Sequence, residues 1–161
     1  MTVLPLPARA EPPRAPDLGL AAAGVLTAGM ALYHFGLPFL WGWGKALTPW
    51  PMLHWALFML NASFSYLLLA GGVATVALAF RRDARDRTGR WVLLAIGGYW
   101  VFNLLYQLVS PMPMPPRLAA LRWGLFGFAA AMAWLYGAAV VRGAGRAQAP
   151  PRSVPVLGRP G

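Results

Sequence analysis

Few side chains in this 161-residue chain have the types and spacing to do chemistry. Two are histidines, His34 and His54, at the facing ends of two neighbouring apolar blocks. Neutral imidazoles from adjacent helices can ligate a haem iron, or can join thioethers around copper(I). Met112 and Met114, in "SPMPMPP", would supply those thioethers, giving His34, His54, Met112 and Met114 as a metal set for haem b or copper. No spacing among the four is specific to either centre, and His54 counts out several ångströms higher than His34. Interfacial histidines without a metal, and no cofactor, are therefore the default expectation.

Other chemistries are thinly supplied. The chain has no cysteine, which removes disulfides, thiolate metal sites and cysteine nucleophiles. Its four carboxylates, Glu11, Asp17, Asp83 and Asp86, all flank apolar blocks at the end opposite the histidines. That leaves no carboxylate pair for acid–base work, no H-E-x-x-H and no intramembrane carboxylate relay. Ser63, Ser65 and Ser110 lack a base or a nucleophile elbow. The expectation leans away from an enzyme.

Polar residues inside the apolar blocks are more informative. Tyr99, Asn103, Tyr106 and Gln107 follow i, i+4, i+7, i+8 spacing and so share one stripe of a helix. His54, Asn61 and Ser65 share another, with Phe58 between them. Counted at about 1.5 Å per residue from the opposite end, His34, Asn61 and Gln107 lie roughly 24–28 Å up and Asn103 roughly 18 Å. An amide facing hydrocarbon leaves donors and acceptors unpaired, so these stripes should turn inward. The plain role for Asn61 and Asn103 is interhelical hydrogen bonding. The sharper reading is a polar pocket of His34, Asn61, Ser65, Tyr99, Asn103, Tyr106 and Gln107, lined by the first three helices and roofed by "WGWGK". Lys45, Arg117 and Arg122 stand at headgroup level, as helix anchors or as binders of an anionic head.

The elements that must position these residues follow from composition. Hydrophobic residues make up 58% of the chain and charged ones 11%, against about 25% in soluble domains. The charges cluster between long uncharged blocks, the pattern of an all-α integral membrane protein. Four transmembrane helices are expected over about 18–36, 52–80, 91–109 and 118–141, as two antiparallel hairpins in one bundle. Such blocks are too long and too uniformly apolar for barrel strands. Asp17 is positioned to N-cap the first helix. Pro38 biases Leu37 away from helix, so that helix should stop near Gly36. The segments 1–17 and 142–161, rich in Pro, Gly and Arg, are expected to be disordered tails.

A net charge of +10 raises the question of nucleic acid. These arginines flank membrane-length blocks rather than marking one folded face, so nucleic acid is not an expected partner. Arg9, Arg14, the "RRDARDRTGR" loop and the C-terminal arginines lie on one side; Lys45, Arg117 and Arg122 lie on the other. The positive-inside rule then places both termini in the cytoplasm, in a multi-pass protein of the bacterial plasma membrane. Trp41, Trp43, Trp50, Trp55 and Trp123 mark the opposite interface. Small residues at helix-face spacing (Gly24 with Ala28, Gly71 with Thr75, and Gly124, Gly127, Ala131 and Gly137) permit close helix approach. The partners expected are the lipid bilayer and, through any surplus small face, other membrane subunits. Three functions stay open: a non-enzymatic pocket for a small or lipid-like ligand, an accessory subunit of a respiratory or photosynthetic complex, and a haem or copper redox protein.

Overall fold

The computed structural model describes residues 15–81, 87–111 and 114–147. Most of the N-terminal tail, part of the arginine-rich loop, Met112 and residues 148–161 lie outside them. The order is α1 (Leu18–Leu40), a short α2 (Trp43–Ala46), α3 (Pro51–Phe80), α4 (Arg87–Val109), a 3-10 turn (Pro116–Leu118) and α5 (Ala119–Ala147). Four segments, Leu18–Leu40, Pro51–Phe80, Arg87–Val109 and Pro116–Arg142, are long and apolar enough to cross a membrane. The described residues are thus all-helical in their regular structure, and the chain is a multi-pass membrane protein by the length and composition of its helices.

Local chemistry accounts for the helix ends. The Asp17 side chain accepts from the Leu20 N–H at 3.1 Å, the expected N-cap. Pro51 opens α3, where its missing N–H has no helical partner to lose. After α1 the chain turns at Gly42, whose φ of 61° is open to glycine at little cost. Three ends differ from expectation. α5 runs on to Ala147, beyond 141, α4 begins at Arg87, ahead of 91, and α1 runs on to Leu40 with Pro38 inside it.

α1 packs along α3 and α4 along α5, with further contact between α1 and α5 and between α3 and α4. Contacts between α1 and α3 run in opposite sequence order: Asp17 N–H to the Ala79 carbonyl at 3.1 Å, Gly24 against Gly72, and His34 with Asn61. At Gly24 and Gly72 the two backbones touch. A Cβ on Gly72 would stand 2.7 Å from the Ala28 nitrogen and 2.8 Å from the Gly24 oxygen. Gly24 and Ala28 are the expected pair on α1; on α3 it is Gly72 that meets them, while the expected Gly71 faces α4, where a Cβ would stand 3.1 Å from the Ile96 side chain. Gly124, Gly127 and Gly137 of α5 have open space where a side chain would go.

The core is held partly by hydroxyls. Thr27 of α1, Thr75 of α3 and Tyr136 of α5 are all 0% exposed. Tyr136 donates its one proton to Thr75 Oγ1 at 3.1 Å, and Thr75 donates to the Gly71 carbonyl at 2.8 Å. Thr27 Oγ1, 3.0 Å from the tyrosine oxygen, must therefore be the donor in that contact. Tyr136→Phe would leave the Thr27 hydroxyl without its acceptor and is expected to cost about 1 kcal/mol. Thermal unfolding in micelles measures that loss, and it should shrink when Thr27 is also made valine.

Candidate functional site

Each buried stripe, followed toward the tryptophan-rich end, changes character. On α1 the stripe Leu20, Ala23, Thr27, Ala31 leads to His34. On α4 it runs Gly89, Leu93, Trp100 and then Asn103 and Gln107. On α5 it runs upward from Ala139 through Tyr136, Met132 and Ala129 to Leu125 and Arg122. Steps of three, four and, from Leu93 to Trp100, seven residues keep each series on one face. Where these stripes become polar they bound a single cavity of about 510 Å³. A volume of that size suits a small organic ligand, for which cavities span about 300–1,000 Å³.

Its wall brings together His34, Tyr99, Asn103, Tyr106 and Gln107, with Arg122 and Met114. Trp41 and Trp43, from the roofing segment, complete the rim. The α4 face is a hydrogen-bonded ladder. Gln107 Nε2 donates to Asn103 Oδ1 at 2.7 Å, and Asn103 Nδ2 reaches the Tyr99 hydroxyl oxygen at 3.4 Å. Tyr106 is more exposed and stacks on Phe102 at 6.1 Å. A chain of ring contacts links all four long helices at this level: His34 to Phe64 at 5.0 Å, Phe64 to Tyr99 at 5.4 Å, Tyr99 to Trp100 at 5.1 Å and Trp100 to Phe128 at 5.4 Å. Three of these contacts are edge-to-face and Phe64–Tyr99 is tilted, packing that restrains ring orientation as well as burying area.

Asn61 and Ser65 are not in this wall, and the third wall is α5 instead of α3. The reason lies in Pro38. A proline inside a helix removes the N–H that would bond the carbonyl four residues earlier, here that of His34. Asn61 supplies the missing donor from α3: its Nδ2 lies 2.7 Å from the His34 carbonyl oxygen. In lipid such a carbonyl finds no water, so a neighbouring helix must satisfy it. Ser65, fully buried, donates to the Asn61 carbonyl at 2.6 Å. Asn61 is thus a positioning residue that lets α1 continue past His34.

The two histidines do not share a site. His54 lines a separate depression of about 740 Å³ with Lys45, Phe39, Trp55 and Phe58, its ring 4.6 Å from that of Phe58. His34 and Met114 line the first cavity; Met112 lies outside the described residues. Among the described residues no three of His, Cys, Asp and Glu cluster as metal ligands would. The headgroup trio is likewise divided: Arg122 is in the first cavity, Lys45 in the second, and Arg117 is exposed in the turn at Pro116–Leu118, in neither.

The wall contributed by α5 was the part sequence reasoning missed, along with Trp100 and Phe128. Spacing held the signal: Arg122 heads the same 3–4 stripe as Leu125, Ala129, Met132 and Tyr136. The orphan of the site is Trp100. It is 2% exposed, lines the cavity, and its Nε1 has no hydrogen-bond partner among the described residues. The sequence matches no protein-family model, no curated protein and no solved structure.

Proposed function

We propose that this membrane protein is a non-enzymatic binder of a lipid-like ligand, held in the cavity among His34, Tyr99, Asn103, Gln107 and Arg122. One observation carries the reading: stripes on three helices turn from apolar to polar at the same level, around one cavity. Polar side chains are costly at membrane depth, and their convergence on open space is the pattern of a binding site. In the orientation favoured by the basic residues, the two helical hairpins have both termini in the cytoplasm of a bacterial cell. The cavity then opens at the outer leaflet.

Native mass spectrometry of protein extracted gently from its membrane tests this. A small-molecule adduct on the monomer is expected, and Leu125→Trp, which fills the apolar wall, should abolish it. A bare monomer in both cases would reduce the polar layer to a helix-joining device.

A second reading, an accessory subunit, draws on the outward face of α5. There Gly124, Gly127 and Gly137 have nothing beside them, Ala131 is exposed, and Trp134 is 70% exposed. Co-extracted polypeptides in the same spectrum would favour it.

A further inference from the structure

The hydrogen-bonding capacity left over in the cavity is unevenly divided. Asn103 Oδ1 already accepts from Gln107, and the Tyr99 oxygen faces the Asn103 amide. The strongest donors left facing it are the Tyr99 hydroxyl proton and the Arg122 guanidinium, while the Trp100 indole N–H is sealed behind the wall. Gln107 Oε1 and one ring nitrogen of a neutral His34 are the acceptors still unassigned, and the hydroxyls of Tyr33, Tyr106 and Ser110 serve either way. A wall with spare donors selects a ligand with spare acceptors, because a buried donor left unmatched costs the desolvation of its N–H or O–H.

Charge narrows the class further. Among the described residues Arg122 is the one cation in the wall, and no carboxylate lines it. Among the described residues Arg122 has no ion-pair partner; its guanidinium lies 5.2 Å from the centre of the Trp123 ring. Beneath the polar rim the surface is hydrocarbon and ring: Met30, Leu37, Leu125 and Phe128. Guanidinium forks match carboxylate and phosphate oxygens, and one fork balances one negative charge.

Building on the ligand-binding reading of this cavity, we infer that its occupant is a monoanionic amphiphile. Its acceptor-rich head, a phosphodiester or a carboxylate, meets Arg122 and Tyr99, and a hydrocarbon portion lies against Leu125 and Phe128. A phospholipid and a free fatty acid share that chemistry.

The full chain, purified in a neutral detergent, is titrated by native mass spectrometry with three probes: phosphatidylglycerol, palmitate and phosphatidylcholine with chains matched to the phosphatidylglycerol. One of the two anionic probes is expected to bind at least tenfold tighter than the zwitterionic one, and which of them does so identifies the source. Arg122→Gln should remove that preference and Arg122→Lys should keep part of it. Arg117→Gln, which alters an exposed arginine in the neighbouring turn, should leave it intact. Equal loss in the Arg117 and Arg122 variants would reduce the effect to surface charge and overturn the inference. Equal binding of anionic and zwitterionic probes, unchanged in Arg122→Gln, would overturn the monoanionic head and leave the cavity reading standing. Retention of no probe by any variant whose thermal unfolding matches the parent would overturn both.

Discussion

Replacing Gly72 with leucine is expected to separate α1 from α3 and to lower the stability of the bundle by at least about 3 kcal/mol. Ordinary overpacking is relieved by moving a side chain. Here the atoms in the way are the Ala28 nitrogen and the Gly24 oxygen, 2.7 and 2.8 Å from the new Cβ, and neither can swing aside. The helices must move apart, and every contact along their seam loosens with them. The dispersion lost is large because lipid chains are as apolar as the helices, so association rests on close packing. Unfolding in detergent micelles by SDS or heat measures the loss. Gly124→Leu, at a position with nothing within 4 Å, is the matched control and should be nearly neutral. Equal melting of the two variants would refute the backbone contact.

Asn61→Leu is expected to cost about 2 kcal/mol, because it strands the His34 carbonyl in hydrocarbon. The sharper form of this prediction is its dependence on Pro38. An alanine at 38 restores the helical N–H four residues beyond His34, so in a Pro38→Ala background Asn61→Leu should cost less than half as much. A double-mutant cycle on unfolding free energy isolates that coupling. Additive costs would mean that the amide serves something other than the proline-freed carbonyl. Ligand retention should follow the same pattern, since Asn61 acts on the cavity only by holding the segment that carries His34.

These two sites also mark what the chain could and could not reveal before folding. Four apolar blocks, the Asp17 cap and the polar stripe of α4 follow from spacing alone, because helical period and membrane length are local properties; that Asn103 bonds within its own helix does not. The end of α1 does not. The local bias of the residue before proline predicts a stop at Gly36, and a donor from another helix overrides it. Asn61 was legible as an inward-facing amide, but its partner is a backbone carbonyl, which leaves no mark in a pattern of side chains. Which helix walls the cavity was hidden for a different reason. In a membrane, residues facing lipid are as hydrophobic as those facing the core, so periodicity seldom distinguishes the two. The polar residues are the exceptions that carry direction. Arg122 was such a marker on α5, outweighed by the general tendency of helix-end arginines to reach for headgroups.

The buried hydroxyl cluster has a consequence for the movement of protons. A proton conductor needs groups that pass a proton on and recover one from behind, with water at both ends. Thr27, Tyr136 and Thr75 are sealed from solvent, and their hydrogen bonds run one way, ending on the Gly71 carbonyl. A backbone carbonyl accepts a hydrogen bond but relays no proton at neutral pH. The cluster therefore ties three helices together with polar bonds without itself offering a path for protons.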